Sequence, residues 1–338
     1  MGNRHISLKD LAKELDVSIS TVSRALKDHP DISREMKEKV KKLALERNYT
    51  PNPLAMGLLK QETRMIGIVV PDLVTHFYAS IISGIESIAK ENGYFVVIAS
   101  SNESFTKEKE SIENLLKARV EGLIICMSRE TSTTDHFEKL VQGDIPLVMF
   151  DRVCLSDKIP AVIADNVDAS QRIVEHFYSK GYKRIAYVSG PENMSISKER
   201  MSGYRAGIKA CGLMPDQNLI ENCDLTFESA KAAMKRLLEL PDPPDAVYGI
   251  NDTVAFGLMK VIKEAGLRIP DDIGVVGFTD EFHSIVVTPA LTSVTHPTFE
   301  MGQKTAQLFF KRLHSEIQAE TLVVKTQLIE RKSSNRYS

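Results

Sequence analysis

Ser18-Ile19-Ser20-Thr21-Val22-Ser23-Arg24-Ala25-Leu26 is a short, hydroxyl-rich run with one arginine, and only Asp16-Val17 separate it from an earlier helical segment. At helical spacing Val22, Ala25 and Leu26 share one face, which leaves Ile19, Ser20, Ser23 and Arg24 outside. Ser18 suits an N-cap, because its hydroxyl can accept from a free N–H of the first turn. Upstream, Ser7 can cap a helix whose Leu8, Leu11, Ala12 and Leu15 fall at i, i+3, i+4 and i+7. Asp16 suits the turn, since a short polar side chain tolerates left-handed backbone. Downstream, Ser33 can cap a third helix running to about Asn48 and burying Met36, Val40, Leu43 and Ala44. Three small helices on one core make a helix-turn-helix head, whose second helix has the outer face of one laid against a DNA groove.

Each residue of that face has a nucleic-acid chemistry. Ile19 suits a thymine methyl, Ser20 can meet a base edge, and Arg24 can fork onto guanine N7 and O6, worth roughly 1–3 kcal/mol of discrimination. The hydroxyls of Ser18, Thr21 and Ser23 suit phosphate oxygens, which fix register without reading sequence. Residues 1–60 hold 12 Lys/Arg against 8 Asp/Glu, although the 338-residue chain has a formal net charge of −2. A basic head on a mildly acidic body points to nucleic acid for one part and another partner for the rest, and so small an excess fits specific reading.

Composition narrows the classes further. With 43% hydrophobic residues there is material for more than one core. Cys126, Cys154, Cys211 and Cys223 show no C-x-x-C spacing, as expected of buried thiols in a reducing cytoplasm. No apolar run approaches ~18 residues and no apolar leader precedes the head, so neither membrane nor export is expected.

Beyond residue 62, short apolar runs alternate with helical patterns. The runs are Met65–Val70, Phe95–Ala99, Gly122–Cys126, Pro146–Phe150, Ile185–Ser189, Ala246–Gly249 and Ile273–Gly277. Helical patterns occupy Tyr78–Glu91, Lys107–Lys117, Ala169–Ser179, Arg200–Ala210, Ser229–Leu240 and Thr253–Ala265. Such alternation predicts an α/β fold of parallel sheets covered by helices, and the length predicts two lobes. Ligands of open α/β sheets bind at strand C-termini, so the expected site is a cleft between lobes. The chain has no G-x-x-x-x-G-K-[ST], H-E-x-x-H or G-x-S-x-G, and its eight histidines are scattered. The expectation is therefore no enzyme, no cofactor and no metal.

Between head and body lies Thr50-Pro51-Asn52-Pro53-Leu54-Ala55-Met56-Gly57-Leu58-Leu59-Lys60. Pro53 fits a first helical turn, but two turns interrupted by Gly57 are marginal alone and need a supporting surface to fold. Here the chain resembles the LacI/GalR family of bacterial regulators. The resemblance is carried by Leu8-Lys9-Asp10-Leu11-Ala12, Val17 to Leu26, Asn48-Tyr49-Thr50-Pro51-Asn52 and Ile66-Gly67-Ile68-Val69-Val70-Pro71, and it extends over essentially the whole chain. It implies a head at 1–50, a hinge helix at 51–61 and a periplasmic-binding-protein-like body at 62–338. Lobe 1 is expected at about 62–162 and 293–325, and lobe 2 at about 163–292 and 326–338. The resemblance assigns Asn52, Ala55 and Leu58 to DNA, with two Leu58 wedges of a dimer prying open a central, usually CpG, step in the minor groove. Met56 stands where members often carry a polar or basic residue, which touches one groove contact and not the wedge.

The resemblance also implies the cleft contacts Phe77, Tyr78, Asp165, Arg200, Asn251 and Thr279. An aromatic face suits a sugar ring, and Arg, Asp and Asn suit vicinal hydroxyls. Thr279 stands at the place where many sugar-responsive members carry Asp, and Met194 where purine-binding members carry arginine. The sequence ends soon after Leu328-Ile329-Glu330-Arg331 without a leucine heptad tail, so a homodimer is expected. The implied function is a cytoplasmic transcription regulator, of repressor type, binding a palindromic double-stranded operator under control of a sugar-like effector. Alternatives are a regulator whose corepressor is a phosphorylated carrier protein, a sugar-binding module without DNA function, and a cytosolic sugar enzyme.

Overall fold

The structure is a computed structural model that describes residues 6–47, 49, 63–315 and 319–336. It divides into two compact units, Met1–Arg64 and Met65–Ser338.

The first unit holds α1 (Leu8–Glu14), α2 (Ile19–Leu26) and α3 (Arg34–Glu46). Their starts are set by serine caps. Ser7 Oγ accepts from Asp10 N at 3.3 Å while Asp10 Oδ2 accepts from Ser7 N at 2.9 Å, a reciprocal capping box. Ser18 Oγ accepts from Thr21 N at 3.1 Å, and Ser33 Oγ from Met36 N at 3.3 Å. Asp16 makes the turn with φ 51°. Leu11, Ala12, Val22, Ala25, Val40 and Ala44 form the buried core, and Leu26, Met36 and Leu43 pack on it half-buried. The expected hinge helix, with Asn52, Ala55, Met56 and Leu58, lies outside the described residues, as does Asn48.

The second unit begins with β1 (Met65–Val70), α4 (His76–Glu91), β2 (Phe95–Ser100), α5 (Phe105–Lys117), β3 (Gly122–Ile125), α6 (Asp135–Gln142), β4 (Leu147–Phe150) and β5 (Ala161–Ala164). It continues with α7 (Asn166–Ser179), β6 (Ile185–Ser189), α8 (Ser195–Ala210), β7 (Ile220–Asn222), α9 (Phe227–Leu238), β8 (Ala246–Gly249) and α10 (Asp252–Glu264). It ends with β9 (Gly274–Thr279), α11 (His283–Val286), β10 (Thr292–Thr295), α12 (Thr298–His314), β11 (Thr321–Val324) and β12 (Leu328–Ile329).

The strands form two six-stranded sheets, β11-β5-β4-β3-β1-β2 and β12-β10-β9-β8-β6-β7. The first is parallel throughout, and in the second β10 pairs antiparallel with β12. Helices cover both faces: in the first sheet Ile66, Ile68 and Val70 enter one core while Val69 enters the other. The helices α4 and α12 approach so closely that glycine is required. A Cβ on Gly302 would lie 2.1 Å from the Ile81 carbonyl oxygen, and one on Gly84 would lie 2.2 Å from that of Phe299.

The chain crosses between lobes three times: between Ala164 and Asn166, between Thr295 and Thr298, and between Val324 and Leu328. Two expected crossings move. Ser293 to Thr295 belong to lobe 2, because β10 takes its partners from β9 (Thr292 against Val276), and the first crossing comes after Ala164, since β5 pairs with β4 and β11.

Candidate nucleic-acid face and interlobe cleft

On α2, Ile19 is 48% exposed, and Ser18, Ser20 and Arg24 are also exposed, while Thr21 and Ser23 are half-buried. Ser18 Oγ lies 2.7 Å from Ser20 Oγ and 2.8 Å from Thr21 Oγ1. Three hydroxyls thus gather at a helix N-terminus, where backbone N–H groups and the helix dipole favour phosphate oxygens. Arg24 stands in the last turn of the same helix. Behind this face Lys41 Nζ pairs with Asp28 at 2.6 Å and Arg47 with Glu14 at 2.5 Å, which ties α3 to the loop after α2 and to α1.

In the second unit a cavity of about 420 Å³ opens between the lobes at strand C-termini of both sheets. Lobe 1 contributes Asp72, Phe77 and Tyr78 after β1, Glu103 after β2, Arg129 after β3, and Asp151 with Arg152 after β4. Lobe 2 contributes Arg200 from α8, Phe227 from α9, Asn251 and Asp252 after β8, and Thr279 and Glu281 at and after β9. His296, in the second crossing, completes the wall.

Five expected contacts are therefore brought together: Phe77, Tyr78, Arg200, Asn251 and Thr279. Phe77 meets Tyr78 edge-on at 5.0 Å and His296 at 4.9 Å between centroids. Burial holds the Tyr78 hydroxyl well above its ordinary pKa. Arg200 is 3% exposed; its Nε donates to Asn166 Oδ1 at 2.9 Å, its Nη1 to the Ile250 carbonyl at 2.5 Å, and its guanidinium lies 3.6 Å over the Phe278 ring. Asn251 is at once a lining residue and the N-cap of α10, with Oδ1 accepting from Val254 N at 2.8 Å. Thr279 carries a strained φ of 126° where β9 ends.

Asp165 is a correction. It does not line the cavity; its Oδ1 accepts from Thr326 N at 3.0 Å and Thr326 Oγ1 at 2.6 Å, which fastens the first crossing to the third. Arg172 at 3.8 Å and Lys325 at 3.5 Å balance its charge. A carboxylate at a strand end serves the hinge here because two crossings run side by side.

Sequence reasoning missed several lining groups. Arg152 Nη1 donates to both Glu103 oxygens, at 2.8 and 2.9 Å, and the Arg129 backbone N–H donates to Glu103 at 2.7 Å. Asp151, 5% exposed with φ 57°, has its carboxyl pushed up by burial, against the pull of Arg152 and Arg200. Asp252 accepts from Ser293 Oγ at 2.6 Å, Glu281 N at 2.8 Å and Ser284 Oγ at 3.1 Å, and burial raises its pKa to about 6. Burial, reinforced by Arg200, pushes His296 down to about 3, so its imidazole is neutral. One signal was present: Asp151-Arg152 directly follows the apolar run Pro146–Phe150, a charged pair at the C-terminal end of a predicted strand.

The lobes also touch directly beside the cavity. Asn193 Nδ2 donates to the carbonyls of Arg129 and Thr131, each at 2.9 Å. Arg129 Nη1 donates to the Asp224 carbonyl at 2.7 Å, and Val153 N to Ser195 Oγ at 3.2 Å. The lobe 1 side is braced by fully buried Glu108, which accepts from Ser128 N at 2.6 Å and Thr131 Oγ1 at 2.7 Å and lies 2.9 Å from His136 Nε2.

A cavity between two lobes, in a chain that also carries a three-helix head, matches two families of known proteins. Residues 7–52 match the bacterial regulatory proteins of the lacI family, and residues 63–332 match the periplasmic binding proteins and sugar binding domain of LacI family. The chain belongs to the lacI family. It is a DNA-binding transcription regulator. The transcriptional repressor CytR of Escherichia coli (strain K12) is 32% identical, covering 92% of this chain and 90% of its own. Catabolite control protein A of Priestia megaterium is 29% identical over 98% of this chain and all of its own. Among solved structures, a lac repressor dimer bound to operator and the anti-inducer ONPF gives a TM-score of 0.86 at 26% identity, covering 98% of this chain and 99% of that one. A complex of the regulator CelR with cellobiose gives 0.74 at 28% identity, covering 97% of this chain and 100% of that one. The four cysteines of the lacI-family chain are free, and no described helix is long and apolar enough to cross a membrane. Among the described residues no group of three His, Cys, Asp or Glu side chains could hold a metal ion.

Proposed function

We propose that this lacI-family protein is a homodimeric, cytoplasmic repressor, not an enzyme, and that a small sugar-like molecule in the interlobe cleft sets its grip on a near-palindromic operator. The observation that carries this reading is the 420 Å³ cavity, walled by polar and aromatic side chains of both lobes, in a chain with a DNA-reading head. Ile19, Ser20 and Arg24 address base edges in the major groove, and Ser18, Thr21 and Ser23 address phosphates. Asn52, Ala55 and Leu58 act in the minor groove, with Leu58 as wedge. Phe77, Tyr78, Arg200, Asn251 and Thr279 hold the effector, and Asp165 fastens the hinge. Exposed apolar side chains support a homodimer: Leu73, Val74, Phe95 and Ile98 on lobe 1, with Phe282, Ile285 and Val286 on lobe 2.

Mobility shifts on palindromes with a central CpG test the reading. Arg24→Ala is expected to lose about 1–3 kcal/mol of preference at one base pair in each half-site. An unchanged base preference refutes the role of Arg24, and failure of the wild-type protein to shift any member of a randomised palindrome library refutes the operator reading.

A further inference from the structure

The charge pattern of the cleft narrows the class of ligand beyond the reading above, on which this inference rests. Asp151 enters from lobe 1 and Arg200 from lobe 2, and both line the same cavity. The nearest contacts of the Asp151 carboxylate are long, with Cys126 Sγ and Arg152 Nε each 4.0 Å from Oδ2. Among the described residues no N–H or O–H donor lies within ordinary hydrogen-bond reach of it. Arg200 has placed Nε and Nη1 on neutral oxygens, and among the described residues no carboxylate pairs with it. A carboxylate only accepts hydrogen bonds and a guanidinium only donates them. An anionic group would satisfy Arg200 and be repelled by Asp151, and a cationic group would meet the reverse. A hydroxyl donates to one and accepts from the other.

The rest of the wall agrees. Five carboxylates and three guanidiniums line the cavity, and one of those cations, Arg152, is neutralised by Glu103 at 2.8 Å. His296, buried against Phe77 and held neutral, adds no positive charge. Phe77 from lobe 1 and Phe227 from lobe 2 give the cavity aromatic surface on both sides, suited to an apolar ring face.

We propose that the cleft selects an uncharged, hydroxyl-bearing ligand and rejects its phosphorylated counterpart, because Asp151 and Arg200 present an acceptor-only and a donor-only group to one cavity. A phosphate brought into this wall meets a net negative field in a partly water-excluded site, and one such like-charge contact costs on the order of 100-fold in affinity.

The test is calorimetric titration of the full-length protein with matched pairs: glucose and glucose 6-phosphate, ribose and ribose 5-phosphate, adenosine and AMP. The expected result is binding through the neutral member of a pair, with its phosphate weaker by about 100-fold. Asp151→Asn, which the left-handed backbone at φ 57° tolerates, is expected to weaken the neutral ligand by about tenfold and to narrow the gap to the phosphate. Melting temperature and operator binding of the ligand-free variant check that it is folded. A phosphorylated member binding as tightly as its neutral partner, or an Asp151→Asn variant with an unchanged ratio, overturns the charge selection and leaves the effector reading standing. If no member of either set binds protein that still holds operator, the effector reading falls, and this proposal with it.

Discussion

Replacing Asn193 by alanine removes two of the hydrogen bonds that join the lobes beside the cleft, those to the carbonyls of Arg129 and Thr131 at 2.9 Å each. A neutral hydrogen bond contributes about 0.5–1.5 kcal/mol net, because the open state hydrates the same groups. Two of them favour closure by about 1–3 kcal/mol, or about 5- to 150-fold in the closed-to-open ratio. Thr131 is 2% exposed, but Asn193 itself is exposed and so is its bond to the Arg129 carbonyl, which places the expected effect in the lower part of that range. The Glu108 brace keeps the loop in place on lobe 1, so it cannot follow lobe 2 as the bonds break. Two other links, Arg129 to Asp224 and Val153 to Ser195, remain.

The Val153 amide is a direct reporter, since it donates across the gap to Ser195 Oγ at 3.2 Å and becomes accessible when the lobes part. Hydrogen exchange at that amide is expected to accelerate in Asn193→Ala by the same factor of about 5 to 150 as the ratio falls. Ligand affinity should fall with it wherever the ligand needs the closed form. Unchanged protection at Val153, with Asn193→Ala folded and melting near wild type, would refute the claim that these bonds hold the lobes together.

Three further outcomes follow from the geometry. Gly302→Ala should force α4 and α12 apart, because its Cβ would lie 2.1 Å from the Ile81 carbonyl; a cost of about 1–3 kcal/mol should appear as a lowered Tm. Asp165→Ala should destabilise the body by about 1–3 kcal/mol in denaturant titrations, through loss of the bonds to Thr326, yet weaken ligand far less than Arg200→Ala; equal ligand losses would return Asp165 to the cleft wall. The folded pKa of His296, about 3, lies below the ordinary 6.5, so its contribution to stability is present above 6.5 and is lost as pH falls toward 3. His296→Phe should gain on wild type by about 1.4 kcal/mol per unit of acidification across that window, and a gap independent of pH would show that His296 does not titrate this way.

What could be read in advance was local. Ser7, Ser18 and Ser33 act through atoms three residues away, so short sequence windows contain the whole interaction. Strands buried on both faces are legible as apolar runs, and Met65–Val70 and Ile185–Ser189 have the expected bounds. The edge strand β11 (Thr321–Val324) is half exposed and so lacks the buried run by which the equally short β3, β4 and β8 were legible, and β10 was misplaced because its lobe depends on pairing with β9. The helix α12 has a legible stripe in Met301, Thr305, Leu308 and Phe309, but it follows a crossing and so falls outside the simple alternation. Asp165 failed for the deepest reason, since its partner Thr326 is 161 residues away and nothing near Asp165 announces it.

That long-range pairing bears on how the body can signal. Asp165 joins the first crossing to the third through Thr326, and Arg172 Nη2 adds donations to Thr326 Oγ1 at 2.8 Å and its carbonyl at 3.1 Å. With two of three crossings bonded together, the lobes are free mainly to change their angle, a hinge motion that leaves both sheets intact. A ligand held by Asp151 and Phe77 on one side and Arg200 and Phe227 on the other touches both lobes only when that angle is small. Its free energy therefore differs between the open and closed forms, which is the requirement for moving the equilibrium at all. The Asn193 bonds favour the same form without a ligand, so they set how much differential affinity the ligand must supply. If operator prefers one of the two angles, linkage requires it to change ligand affinity by the same factor that ligand changes operator affinity. Asn193→Ala shifts the baseline of both measurements without touching either site, so it should alter both apparent affinities while leaving the neutral-to-phosphate ratio of the cleft unchanged.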